Sequence, residues 1–463
     1  MMFPDLSYSF EKTLEKVSDR VSAVKCRNRY GVLRESIGPL VRVTLDSARI
    51  GDLCDLVDAD QGRKVPAEVV AVRDKDALLS PYGSAVGLSV QTKVIPRNEP
   101  LKVPVGNDLL GKTIDAYGRP LDGSALDLSK YKMWSVRKDT TNPIDRPLID
   151  KVCMTGIRVI DSMTTTGHGQ RIGIFGEPGC GKSVLMSMIA RNVEADVCVI
   201  GLIGERGREV REFLDRQLPA KFRSRCVTVV STSDRPSMER VVGAYTATTV
   251  AEYFRDQGKN VLLLVDSVTR YARALREVGL ATGEPPARKG FPPSVFSELP
   301  KLLERSGRTN KGSITAFYTV LIEGDALGDP ISEEVRSLTD GHIVLSKTKA
   351  QAGEYPAIDV LDSKSRVMDE LVSDQHKKAA SHVRSLLQKY NEVELLLQVG
   401  EYKSGSDGLA DEAIRLRPNI QKLFQQGANE NTVFQTTQNL LFKLGPTMKQ
   451  SPVNAGQRVQ KQR

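Results

Sequence analysis

Aromatic residues are scarce: they make up 5% of a 463-residue chain, with one tryptophan, 12 tyrosines and 12 phenylalanines. Few platforms are therefore on offer for stacking nucleic-acid bases. Cysteine is scarce as well. The six (Cys26, Cys54, Cys153, Cys180, Cys198, Cys226) stand singly, with no C-x-x-C pair and no histidine pair nearby. That excludes a zinc site of ordinary spacing, offers no disulfide framework and points to a reducing, cytoplasmic setting. No apolar run approaches the roughly 18 residues that a membrane-spanning helix needs. The first residues carry Asp5, Glu11 and Glu15 and lack the apolar segment of a secretory leader.

What is present is ordinary for a globular protein, with 40% hydrophobic and 27% charged residues. The length exceeds one compact core and implies two or three domains. The formal charge is +9, and beyond Leu441 stand Lys443, Lys449, Arg458, Lys461 and Arg463 without an acid, which is +5 of that excess. The surplus thus sits largely in a tail (446–463) whose Gln, Gly and Pro content reads as disordered. Such a tail suits a peripheral membrane contact or an acidic partner, and equally suits plain solubilisation.

The densest chemical signal is RIGIFGEPGCGKSVLMSMIA (171–190). An apolar, strand-forming run meets G-x-x-x-x-G-K-[ST], and a helix-forming segment follows at once. The phosphate-binding stretch is expected to comprise Gly176, Glu177, Pro178, Gly179, Cys180, Gly181, Lys182, Ser183 and Val184. The glycines let successive backbone N–H groups point at phosphate oxygens, and the helix N-terminus adds its positive dipole end. Lys182 would reach the β- and γ-phosphates and the Ser183 hydroxyl would ligate Mg²⁺, so ATP with Mg²⁺ is the expected ligand pair. VLLLVD delivers Asp266 at the end of an apolar strand, where it would hold the magnesium shell; Arg270 would brace that acid or the nucleotide. GERGREVREF (204–213) follows the apolar run Val197–Ile203. Hydrolysis needs a carboxylate to orient the attacking water, and Glu205 is the preferred residue. Spacing does not separate it from Glu209, and the same segment also reads as a solvated, salt-bridged helix start.

Along the chain, residues 1–22 include an amphipathic helix with Phe10, Leu14 and Val17 on one face. It would dock a partner or pack on its own domain. Residues 23–95 alternate in short runs (Val41, Val43 and Leu45; Val65 to Val72; Ala77 to Leu79) between Gly, Pro and Asp turns, the pattern of a small β-barrel. With only Tyr30 and Tyr82 to stack on bases, oligomerisation is favoured for it over nucleic-acid binding. Residues 96–370 form an α/β core: after the Gly-rich loop, buried parallel strands are expected at Val197–Ile203, Cys226–Ser231, Val261–Asp266, Ser313–Val320 and His342–Ser346, with a helix over 237–257. Residues 371–445 turn helical.

Several blocks carry a resemblance. GEPGCGKS, GERGREV, TSDRPSMER (232–240), TATTVAEYFRDQGKNVLLLVDSVTRYARALREV (246–278), GEPPARKGFPPSVFSELPKLLERSG (283–307) and GSITAFYTVLIEGD (312–325) resemble the type III secretion ATPases. These are relatives of the flagellar export ATPase and of the catalytic β subunits of rotary ATP synthases. The similarity runs from about residue 20 to 443. ISEEVRSLTDGHI (331–343) and NEVELLLQVGEYKSGSD (391–407) lie nearer to the injectisome enzymes than to the flagellar one.

The resemblance implies an α/β fold: a RecA-like P-loop NTPase core with an N-terminal small β-barrel and a C-terminal helical domain, assembled as a homohexamer. It implies an ATP hydrolase that powers a type III protein secretion apparatus, detaching chaperones and helping to unfold and export effectors. By resemblance Lys182 and Ser183 fill the P-loop roles, Asp266 that of the magnesium acid and Glu205 that of the catalytic carboxylate, with Arg206 beside it expected as a further catalytic residue. Tyr355 matches the aromatic that stacks on adenine, and Arg366 matches the arginine finger offered by a neighbouring subunit. Without the resemblance Arg366 reads only as a surface arginine. The implied partners are further copies of the chain, a stator-like regulator, a central stalk protein, chaperone–effector complexes and the cytoplasmic face of an export gate. The location implied is cytoplasmic, peripheral to the inner membrane. Arg288 and Lys289 in GEPPARKGFPP either face a central channel or belong to an ordinary surface loop. Lys347 stands where relatives often carry arginine. The competing classes are a flagellar export ATPase, an RNA-translocating ring ATPase and a non-catalytic ring subunit. Few aromatics weigh against the second, with no specific nucleic-acid partner expected, and Lys182, Glu205 and Asp266 weigh against the third.

Overall fold

The protein's structure, a computed structural model, describes residues 14, 17–18, 30–46, 48–58, 62–322 and 328–446. The expected N-terminal helix lies almost wholly outside the described residues, and the basic tail beyond residue 446 lies outside them too. The chain forms two units, Met1–Leu101 with Ala281–Gly283, and Lys102–Leu280 with Glu284–Arg463.

In the first unit, β1 (Gly31–Ile37), β2 (Leu40–Thr44), β3 (Asp52–Val57), β4 (Lys64–Arg73), β5 (Asp76–Pro81) and β6 (Lys93–Pro100) close into a barrel, in the order β1-β2-β5-β4-β3-β6. Period-2 alternation sends Val41 and Val43, Val65, Ala67 and Val69, and Leu79 inward, where they bury one another. Closure leaves no long edge strand unpaired. The last strand runs past the boundary expected at residue 95, because its residues Pro96, Arg97, Asn98 and Glu99 hide it from a hydrophobic pattern.

The second unit is built on a nine-stranded sheet. Its path is β17 (Ile358–Ser365), β16 (Gly341–Leu345), β10 (Arg171–Gly176), β15 (Ser313–Leu321), β13 (Asn260–Asp266), β11 (Val197–Ile203), β12 (Cys226–Ser231) and β8 (Thr113–Asp115), with β14 (Gly307–Arg308) beside β15. All neighbours on the path pair in parallel except β16 with β17. β11 is buried at every position, as a strand covered on both faces must be, and its unbroken apolar run follows from that. The antiparallel edge strand β17 and the three-residue β8 were not anticipated, since neither has an apolar run. Two short strands, β7 (Lys102–Val105) and β9 (Lys132–Ser135), pair apart from this sheet.

The helices that position the site are α1 (Arg158–Met163), α2 (Lys182–Asn192), α3 (Gly207–Glu212), α4 (Ser237–Asp256) and α5 (Val268–Ala281). Further on, α6 (Pro330–Leu338) precedes β16, and α7 (Asp374–Gln398), α8 (Gly408–Phe424) and α9 (Phe434–Phe442) form the C-terminal helical part. Ala379, Val383, Leu386 and Leu387 of α7 join one hydrophobic core with α1, α2 and the sheet. Among the described residues no helix is long and apolar enough to cross a membrane.

Candidate active site

In an open parallel sheet, ligands bind beyond the carboxyl ends of the strands, and this chain gathers its reactive side chains there. β10 ends at Gly176, and the chain curls through Glu177–Gly181 into α2. Gly181 has a φ of 82°, and a Cβ on it would stand 3.1 Å from the Tyr355 ring, so both backbone and space ask for glycine. No side chain caps the N-terminus of α2. Its leading N–H groups are therefore left for an anion, in line with the helix dipole.

Lys182 Nζ donates to Asp266 Oδ1 at 2.5 Å and lies 3.7 Å from Glu205 Oε1. The topology explains the meeting: β10 and β13 flank β15, and β11, which delivers Glu205, flanks β13. Thr319 Oγ1 on β15 donates to Asp266 at 2.6 Å and fixes the carboxylate from behind. Just after β11, Gly204 has a φ of 71°, and any Cβ there would stand 2.9 Å from the Arg270 side chain. The glycine lets the chain turn while Arg270 closes on Glu205, with Nε 3.1 Å from Oε1 and Nη2 3.2 Å from Oε2.

Glu205 is 6% exposed. Burial, with Asp266 close by and a hydrogen bond that the protonated Glu205 donates to Glu209, pushes its carboxyl up to about 7. Glu209 shares that hydrogen bond and is held below the usual carboxylate range. The ambiguity left by spacing thus gains a physical difference: Glu205 is the buried, proton-holding partner, and Glu209 the half-exposed one. Arg206 is set apart. Its side chain is 75% exposed and pairs with Glu209 at 3.4 Å.

Two cavities flank the start of α2. One of about 230 Å³ is lined by Ser183, Glu205, Glu209, Gln217 and Asp266. Ser183 and Asp266 offer it a hydroxyl and a carboxylate oxygen, hard donors that suit Mg²⁺, which takes one or two protein ligands and fills its shell with water and phosphate. The other, of about 550 Å³, is lined by Gly181, Val184, Met188, Tyr355 and the segment Gln425–Ala428, and falls within the usual size of a small-molecule site. The Tyr355 hydroxyl donates to the Ala350 carbonyl at 3.2 Å, which leaves the ring as one wall.

Sequence reasoning missed Thr319 and the 425–428 segment. Thr319 did carry a signal, a hydroxyl inside an apolar strand. The segment carried none, being a polar connection between α8 and α9. It is placed by tertiary bonds: Arg158 donates to the Leu423 carbonyl at 3.0 Å, Arg191 to that of Ala428 at 2.5 Å, and the Gln426 amide to that of Gly156 at 2.8 Å.

Arg366 is not among the gathered groups. β17 runs antiparallel to β16, so Ile358 pairs with Leu345 at the loop end of the sheet and Ser365 with Gly341 at the far end. Arg366 follows Ser365, its backbone N–H donates to Asp340 and its guanidinium to the Arg336 carbonyl at 3.3 Å. From Gly341 to Leu345 is roughly 13 Å along the strand, before the loop beyond is counted.

Fold and site together define a P-loop nucleoside triphosphatase with a RecA-like core. Residues 156–365 match the ATP synthase alpha/beta family, nucleotide-binding domain, 34–98 its beta-barrel domain, and 372–443 the T3SS EscN ATPase C-terminal domain. The type 3 secretion system ATPase of Sinorhizobium fredii is 49% identical over 434 residues, 94% of this chain and 96% of that one. The flagellum-specific ATP synthase of Bacillus subtilis is 46% identical over 417 residues, 90% of this chain and 95% of that one. The structure of the assembled ATPase EscN with its central stalk EscO, from enteropathogenic E. coli, superposes with a TM-score of 0.83 at 46% identity, covering 90% of this chain and all of that one. The chain belongs to the type III secretion ATPase family and is an ATP hydrolase of it.

Proposed function

We propose that the chain hydrolyses MgATP at sites shared between neighbouring copies in a homohexameric ring, and that this drives a type III secretion apparatus. The observation that carries the shared site is the position of Arg366, held at the end of the sheet away from Lys182, Glu205 and Asp266. An arginine so placed serves a neighbour's γ-phosphate, not its own chain's.

In this reading the backbone of Gly176–Gly181 and Lys182 hold the phosphates, Tyr355 stacks on adenine, and Ser183 and Asp266 hold Mg²⁺. Bound there, the ion would neutralise charge on the phosphates. Lys182, released from Asp266 when phosphate arrives, turns to the β- and γ-oxygens. Glu205 accepts a hydrogen bond from the attacking water and takes its proton as the oxygen bonds to the γ-phosphorus and the bond to ADP breaks. Arg270 keeps Glu205 aimed while that happens. Arg206, exposed beside the site, is assigned to the subunit interface.

The proposed partners are a central stalk protein, as EscO is for EscN, and with it a stator-like regulator, chaperone–effector complexes and the cytoplasmic face of an export gate. The barrel unit supplies ring contacts, and the exposed Arg288 and Lys289 meet the stalk. The flagellar alternative has fewer supports, since the C-terminal match is to the EscN type.

Tyr355→Ala is expected to raise the KM for ATP about three- to tenfold through lost stacking, with kcat changed less than about threefold. Steady-state kinetics would settle it, and an unchanged KM would remove Tyr355 from the base site. The ring itself is tested by specific ATPase activity against protein concentration, with light scattering in parallel. Activity should rise with assembly; a flat line down to the monomer would contradict the shared site.

A further inference from the structure

Glu177 is the one acidic side chain within the loop Gly176–Ser183. Other features there favour an anion: the uncapped N-terminus of α2 and Lys182. A carboxylate in that ring of donors works against a polyphosphate. The structure gives it a partner from another element, since Lys347 Nζ donates to Glu177 Oε2 at 2.8 Å.

The fold brings the pair together by design of the sheet. β16 lies beside β10, parallel and in register, so the two strands end side by side. The loop leaves β10, and a short helix, Lys347–Gln351, leaves β16 with Ser346 as its cap. Lys347 is the first residue of that helix, the position at which a cation is disfavoured by the dipole. The pair is also largely in water, with side chains 55% and 40% exposed, so it contributes little to stability. A lysine that is poorly placed for its own helix and nearly idle in holding the fold asks for another role.

We propose that Lys347 is a counter-ion built into the nucleotide site: it cancels the Glu177 charge and so keeps an acidic phosphate loop able to bind a triphosphate. Lys347 is a positioning and affinity-setting residue, and it acts through Glu177. The inference rests on the reading of Gly176–Ser183 as the ATP-binding loop. Its signature is charge scaling. Coulomb energy is proportional to ligand charge, so loss of Lys347 weakens MgATP, which carries one negative charge more than MgADP, by about the square of the factor for MgADP.

The test is titration calorimetry of the full-length chain with MgATP and, separately, MgADP. K347Q is expected to weaken MgADP about threefold and MgATP about tenfold. K347R, which keeps the charge, should stay near the unaltered chain, and adding E177Q to K347Q should recover most of the loss. A K347Q effect equal for both nucleotides would mean loop distortion and overturn the proposal. A loss that E177Q does not relieve would mean that Lys347 touches the nucleotide itself, which overturns the counter-ion role. Unchanged affinity in K347Q would also overturn it while leaving the ATP site standing. Failure of the unaltered chain to bind either nucleotide would sink the site reading, and this proposal with it.

Discussion

Glu205→Gln should lower kcat by a factor of about 10²–10⁴, the usual range for a general base, while ATP affinity changes by no more than about threefold. The substitution keeps size and one hydrogen-bond acceptor and removes only the ability to take a proton. The pH profile sharpens the expectation. Burial and the nearby Asp266 raise the Glu205 carboxyl to about 7, above its ordinary range, so protonation removes the base form as pH falls through 7. kcat/KM, which reports the free enzyme, should drop about tenfold per pH unit below that point. In Glu205→Gln the residual rate should be flat over the same interval. Stopped assays from pH 5.5 to 8.5, a range chosen to span about 1.5 units either side, would show it. A limb that persists in the variant would contradict Glu205 as the base, and Glu209, held below the usual carboxylate range, would not account for it.

Arg366→Ala should cost about 10³–10⁵ in kcat, since a cation placed on the transferring phosphoryl group stabilises charge that develops only in the transition state. Affinity for ATP should change little, because nothing in the Arg366 chain itself binds nucleotide through that residue. The fold should also be spared: the side chain is exposed and donates to the Arg336 carbonyl on the surface. Equilibrium binding and thermal melting would separate these points from catalysis. An affinity loss matching the rate loss would argue that Arg366 helps to bind ground-state substrate and not the transition state.

How far this molecule can be read without coordinates depends on whether a feature is local. The P-loop strand and helix, β11, β12, β13 and β15 are continuous apolar runs with turn signals at their ends, and sheet burial makes such runs necessary. Glu205 and Asp266 were legible because Asp266 ends one of these strands and Glu205 follows another by two residues. β8 and β17 were not, since a short edge strand needs no apolar run. The clamp of Arg270 on Glu205, the support of Asp266 by Thr319 and the wall formed by Gln425–Ala428 are contacts across 65, 53 and many more positions. No local pattern encodes them. Arg366 is the limiting case: its proposed target lies on another copy of the chain, and only the resemblance singled it out.

The shared site is tested most directly by mixing two dead enzymes. Glu205→Gln and Arg366→Ala are purified apart, combined in equal amounts under conditions that exchange subunits, and assayed for ATP hydrolysis with light scattering to verify assembly. In a closed ring about a quarter of the interfaces then join an intact Glu205 to a neighbour's intact Arg366. Activity should recover to roughly that share of the unaltered ring. Mixed rings that assemble and stay inactive would contradict the account, and would place the whole catalytic set within one chain.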